Sequence, residues 1–391
     1  VFTMVMLLSV STVLEAREKN ISNFSSSSSN LVDSTGTFDG NKIYADVANN
    51  GLFLDYHVSG DSALEWPKGT GVHSIFQSAL WMGATVNGSI RTIVGDYTQD
   101  MGPGPWGGDP LAAVHRIYKV EKSMLASPLD FADFQEWPVE FGAPWVDVDG
   151  DGVYTPLPGG TDHPEFLGDQ VLWFVSNDGD PAYKLNFGTS PMNVEIQTTM
   201  FGFDRPDVFG DMVFLKQLVI NKGSDDLVDT YMGLWSDPDL GYAGDDFVGC
   251  DVALGMGYVW NDGDDSQYST LDIGTPAAGY DFFQGPMVPC EDGDSEEVCP
   301  TEGAKMFGTR HPGMKNLKMS SFAFYINGDA TYTDPSDETE GYFYLQGLRK
   351  DGSAYPAEIA GDLYDQRFCF YGDPNDSAGH STANPVDGNY A

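Results

Sequence analysis

Between two strand-like segments, residues 78–86 and 89–97, which carry Trp81 and Ile90 on otherwise mixed faces, lies Asn87-Gly88. Such a pair reverses the chain in a two-residue turn whose central residues both take positive φ, which glycine adopts freely and asparagine tolerates. It commits the flanking residues to antiparallel pairing. Similar punctuation recurs along the chain, which carries 46 glycines and 23 prolines, enough to break it into short segments. Residues 43–47 and 52–56 flank Asn49-Asn50-Gly51 and are expected to form another hairpin. Residues 170–176, 193–203, 211–221 and 229–235 read as a run of antiparallel strands. The third of these is apolar enough to be central, and Asn221-Lys222-Gly223-Ser224 should turn it into the next. Further strands are expected at 250–260, 279–283, 318–327 and 367–371. One helix is expected over 128–136, where Ser127 suits the N-cap, Pro128 the first turn, and Trp137-Pro138 the stop. A second short helix fits 341–348. The expected fold is mainly β: an antiparallel β-sandwich of two sheets with one or two short helices and long acidic loops.

Asp147, Asp149 and Asp151 alternate along one of those loops, and Gly152 follows. This is the first half of the calcium-loop pattern D-x-[DN]-x-[DN]-G. A hard cation takes six to eight oxygens, so alternate carboxylates and a backbone carbonyl, here that of Val153, must converge around a sharp turn. The twelfth position is Pro158 rather than a bidentate glutamate. The closing ligand is therefore expected from Asp162, Glu165 or Asp169, with Asp162 the first choice. A second acidic group, Asp237, Asp239, Asp245 and Asp246, follows the strand at 229–235 and is a further candidate calcium site. Asn177-Asp178-Gly179-Asp180 and Asn261-Asp262-Gly263-Asp264-Asp265 are weaker candidates, because Asx-Gly turns account for them without a metal.

The 59 acidic residues outnumber the 19 basic ones for a formal charge of −40, which repels phosphate backbones and excludes nucleic acid as a partner. It favours cations, with calcium the expected cofactor. It also fits a surface adapted to a salty medium. Residues 4–14 form an apolar run too short to span a bilayer and of the length of a signal-peptide core. The chain begins at Val1 and reads as cut inside that leader. The expected divisions are 1–16 as the leader and 17–38 as a serine-rich tether. They continue with 39–160 as a β-rich part carrying the acidic loop, and 161–391 as the sandwich. No stretch is long enough to cross a membrane. Four cysteines allow three pairings. Proximity favours Cys290–Cys299 around an acidic loop, with Cys250 and Cys369 left to pair with each other.

No residues identify a reaction. Glycoside hydrolysis needs two carboxylates roughly 5–10 Å apart across a cleft, and so many acids make such a pair uninformative. Gly102, Gly104 and Gly107 match G-x-G-x-x-G in spacing, but Pro103 and Pro105 remove the amides a phosphate cradle needs. The six histidines do not cluster. His163 beside the acidic loop reads as packing, because calcium prefers oxygen. Trp106 and Trp260 are the aromatic side chains considered for stacking on sugar rings.

Several segments carry a resemblance. They are Trp66-Pro67-Lys68-Gly69-Thr70-Gly71, Leu80-Trp81-Met82-Gly83-Ala84-Thr85-Val86-Asn87-Gly88, and Trp137-Pro138 through Asp151-Gly152-Val153-Tyr154. With them go 168–170, 177–180, 234–239, 244–251 and 279–286. As a set, across residues 67–373, they resemble the amino-terminal region of large secreted bacterial proteins that carry a C-terminal type IX secretion sorting domain. The resemblance implies export, a secreted or cell-surface home and a β-rich body, and it implies no established activity. Together these readings point to an exported, calcium-binding structural or adhesive protein. Its partners would be calcium ions, with extracellular polysaccharide or other surface proteins. The competing expectation is an extracellular carbohydrate-active module, either a glycoside hydrolase or a lectin-like binder.

Overall fold

The computed structural model describes residues 2–10 in backbone only, and 35–157, 162–261, 263–326, 329–360 and 366–374. The fold is mainly β, with short helices and several largely antiparallel sheets. The chain divides into two compact units, each discontinuous in sequence. One comprises Val1–Ser26, Leu80–Val94 and Asp225–Ala391, and the other Ser27–Ala79 and Gly95–Ser224. The division expected after residue 160 falls inside the second unit.

In the Ser27–Ala79 and Gly95–Ser224 unit, the strand Gln170–Asn177 is buried along all eight residues. Tyr118–Glu121 and Gly102–Pro103 pair on one side of it, Val194–Gly202 on the other, and Phe214–Asn221 closes the order. Sequence reading put the Phe214–Asn221 segment at the centre; it lies instead at the edge, with its residues half-buried or exposed. The apolar pattern specified a strand but not its neighbours. Lys216 pairs with Glu165 (3.8 Å), and Phe214 stacks on Phe201, its cross-strand partner on Val194–Gly202. The turn at 221–224 leads out of this unit rather than into the next antiparallel strand.

The expected hairpin around Asn49-Asn50-Gly51 is also corrected. Tyr44–Ala48 joins a sheet with Thr35–Phe38, Leu64–Glu65 and His73–Ile75, whereas Leu52–Leu54 pairs with Ser78 and Ala79. The cause is local: Asn49 and Asn50 are buried. Asn49 donates to the His115 carbonyl (2.7 Å), and Asn50 accepts from the Leu52 amide (3.0 Å). The turn is drawn inward and the two strands separate. Thr35–Phe38, inside the expected tether, is ordered by pairing with Tyr44–Ala48; residues 17–34 lie outside the described residues.

In the other unit, Asn87 (φ 52°) and Gly88 (φ 81°) make the expected tight turn, with Val86 opposite Ser89. Val228–Asp237 and Met319–Ile326 flank Phe2–Val10, which runs parallel to both. Residues 4–10 of the run read as a leader core thus lie in a strand here, since a continuous apolar run also suits a central parallel strand, and residues 11–14 lie outside the described residues. Trp81 stacks on Trp235 (5.8 Å between ring centres), and the Trp235 indole donates to Tyr325. Asp246–Asp251, Met256–Asn261 and Ala278–Asp281 form a three-stranded antiparallel sheet. The second expected helix is Glu338–Leu345, capped by Asp337. The first is reduced to a 3₁₀ turn, Pro128–Asp130, followed by one α-turn, Ala132–Gln135. Cys290 and Cys299 are bridged, their Cα atoms 5.9 Å apart. Cys250 and Cys369 are buried thiols instead of a second bridge. Cys250 stands opposite Tyr371, and its thiol donates to the Cys369 carbonyl (3.4 Å), so the two cysteines meet on a diagonal.

Candidate metal centre

The acidic loop closes on a two-residue ladder, Trp145–Val146 against His163–Pro164. Its base is anchored in an aromatic core of Tyr118, Phe134, Trp137 and Trp173, against which Trp145 and Tyr154 pack. Trp137 donates its indole N–H to the Pro144 carbonyl (3.0 Å), and Tyr154 donates its hydroxyl to the Phe134 carbonyl (2.6 Å). Burial, with the Asp162 charge adding to it, raises the Tyr154 hydroxyl well above its ordinary pKa, so it stays a donor. Both loop ends are held by buried groups while the tip stays in water.

Within the loop, Asp147 accepts the amides of Gly150 (2.7 Å) and Gly152 (3.0 Å). Asp149 accepts the Asp151 amide (3.2 Å), and Asp151 accepts that of Val153 (2.7 Å). Gly150 and Gly152 have φ near +77° and +74°, the conformation this winding requires. The buried Asp162 reaches in from the far side and accepts the amides of Val148 (2.9 Å) and Thr155 (2.8 Å) and the Thr155 hydroxyl (3.2 Å). The Thr155 amide, followed by the Val148 amide and the Thr155 hydroxyl, holds its carboxyl below the usual range against the opposing effect of burial, so it is anionic at neutral pH.

One carboxylate oxygen each from Asp147, Asp149, Asp151 and Asp162 lies within 4.8 Å of the other three. Among the described residues this is the one group of three or more acidic, histidine or cysteine side chains so placed. Of the three candidates for the closing ligand, the fold brings in Asp162. Glu165 pairs with Lys216 (3.8 Å) and Asp169 with Lys122 (3.4 Å). Val153 sits in the same turn, exposed. Pro158 lies outside the described residues. His163 bonds the Pro164 carbonyl through Nδ1 (2.8 Å) and stacks on Phe166, a packing role. Four anionic oxygens and no nitrogen or sulfur make a donor set for a hard cation.

The second acidic group is built differently. Asp237, Asp239 and Asp246 are buried and Asp245 is half-buried. Asp246 accepts the Leu240 amide (2.8 Å) and Asp245 accepts from Asn261 (2.7 Å). Asp265, one of the weaker sequence candidates, is buried and accepts the amides of Tyr242, Gln267 and Tyr268. Asp245 thus serves a side-chain amide, and Asp246 and Asp265 serve backbone amides. Asp178 does the same, accepting from Met192 (2.6 Å) and Val194 (2.7 Å) beside the buried Lys184 ammonium, and Asp180 caps the turn Pro181–Tyr183. Sequence reading had no signal for the Asp246 burial or for the Lys184 pairing, because both depend on strands remote in the chain. Compared with known proteins, the chain matches no family model, no curated protein and no solved structure.

Proposed function

We propose that the chain is an exported structural or adhesive surface protein whose 147–162 loop is closed by a calcium-type cation. The observation that carries this reading is the meeting of four carboxylate oxygens at the tip of a loop whose base is pinned in an aromatic core. A cation that binds the wound loop and not the unfolded chain adds stability by mass action. Calcium suits the site better than magnesium, whose strict octahedron dehydrates reluctantly and is seldom caged by protein oxygens alone. The net charge of −40 keeps such a protein soluble and draws cations to it. A two-sheet sandwich is the arrangement we propose for the β-rich body.

Equilibrium dialysis tests the site. One calcium per chain that disappears in an Asp147→Ala/Asp149→Ala double variant supports it, and equal binding by both proteins refutes it. Surface fractionation of the native protein tests export. Recovery of the protein in the surface fraction supports export, and recovery in the cytosol alone refutes it. One observation favours a second reading, a glycan-binding module. Trp106 is 42% exposed yet fixed, its indole donating to Asn193 (3.1 Å) and its amide to Glu195 (2.9 Å). Such a rigid face suits stacking on a sugar ring. A polysaccharide panel probed with wild type and Trp106→Ala separates the two.

A further inference from the structure

The Lys184 side chain is 1% exposed, a burial that an ammonium ion bears only beside counter-charges. Two buried carboxylates supply them. Its Nζ donates to Asp100 Oδ2 at 2.8 Å and lies 3.9 Å from Asp178 Oδ2. The three side chains come from separate stretches that one strand pairing draws together. Asp100 precedes Gly102–Pro103, which pairs with Ser176 and Asn177 at the end of the central strand, and Asp178 follows at once. Lys184 closes the 3₁₀ turn Pro181–Tyr183. Asp178 is fixed by the amides of Met192 (2.6 Å) and Val194 (2.7 Å). Met101, Tyr183 and Met192, beside these residues in the chain or bonded to them, are buried as well. The ammonium already fills the place a metal cation would take between the two acids.

An amine and a carboxyl held in contact, away from water, are also reactants. Well-oriented partners in one molecule behave as if each were present at roughly 10⁵–10⁸ M. Condensation also removes two buried charges, whose desolvation an ion pair recovers only in part. We propose that Lys184 and Asp100 condense to an intramolecular amide, with Asp178 carrying a proton between them. One ammonium proton passes to Asp100 Oδ2 along the 2.8 Å hydrogen bond, leaving an amine and a carboxylic acid. Nζ then attacks Asp100 Cγ, and Asp178 takes a second proton from the nitrogen as the N–C bond forms. Contacts to a proton acceptor are commonly long before reaction and shorten during it, so 3.9 Å is within reach. The C–O bond to the hydroxyl breaks, the hydroxyl leaves with that second proton as water, and Asp178 is again a carboxylate. Atoms and charge balance without an outside reagent. The product ties together residues 84 apart and pins the 178–184 connection to the segment entering Gly102–Pro103. The calcium-closed loop plays no part in it.

The test is the intact mass of the full chain, denatured and fully reduced after prolonged incubation of the folded protein. Wild type should be lighter than its sequence by one water. Proteolysis should release a branched peptide joining residues 100 and 184, which fragmentation identifies. That peptide is read from wild type and does not depend on any variant folding. Lys184→Arg and Asp100→Ala should keep the full sequence mass. Asp178→Asn retains both reactants and should condense about a hundredfold more slowly, the scale of a lost proton carrier, as followed by mass against time after refolding. A wild-type chain at full sequence mass, with no branched peptide, overturns the proposal. A water lost equally from Lys184→Arg also overturns it, because it marks ring closure at an Asp-Gly pair rather than a cross-link. Condensation of Asp178→Asn at the wild-type rate overturns the role given to Asp178.

Discussion

Removing calcium from the 147–162 loop should lower the melting temperature of the unit that carries it. The four carboxylates place oxygens within 4.8 Å of one another, where each ionised pair repels by roughly 1 kcal/mol in water and about 3–4 kcal/mol at an effective dielectric of 20. Amide donors to Asp147, Asp149, Asp151 and Asp162 offset part of this. A divalent ion offsets the rest, so binding and loop closure are coupled. At a free concentration about a thousand times its dissociation constant, the ion adds about 4 kcal/mol to the folded state. In a unit of this size about 1 kcal/mol moves the midpoint by roughly 2–4 °C, giving a shift of roughly 8–16 °C. Scanning calorimetry with calcium or chelator measures it, with sodium chloride matching ionic strength because general screening also helps a chain of −40. Asp149→Ala should lose most of the shift, whereas Asp180→Ala, which removes only a turn cap, should keep it. Equal midpoints with calcium and chelator would refute the reasoning, as would an Asp149→Ala protein that retains the full shift.

Other outcomes follow from the same contacts. Because the Thr155 and Val148 amides depress the Asp162 carboxyl, its contribution is present above the ordinary aspartate value and is lost as pH falls through the lower folded value. Calcium affinity should drop over that acid window, and Asp162→Asn should flatten the drop in a titration series. Lys184→Met leaves Asp100 and Asp178 as buried carboxylates without their shared ammonium (2.8 and 3.9 Å), and should cost about 3–5 kcal/mol in urea unfolding. Gly88→Ala meets open space but is forced to φ +81°, so it should cost about 1–2 kcal/mol by the same assay.

What the sequence determined by itself was local. Asn87-Gly88 set its turn because two adjacent residues carry the whole φ requirement. The spacing of Asp147, Asp149 and Asp151 with Gly152 wound the loop tip, since each carboxylate captures an amide two to five residues on. Cys290 and Cys299, nine apart, found each other for the same reason. Tertiary structure decided the rest. Asp162 was chosen over Glu165 and Asp169 because it adjoins the ladder Trp145–Val146 with His163–Pro164 and accepts the Val148 and Thr155 amides. Lys216 of an edge strand and Lys122 of a 3₁₀ turn engage the other two. Phe214–Asn221 became an edge although its composition suits a centre, and Asn49 turned inward to meet His115, 66 residues away. Asp246 reads as one more surface acid until the fold buries it against the Leu240 amide. Burial and strand order are set by long-range packing against many partners at once, and no short window of residues encodes them.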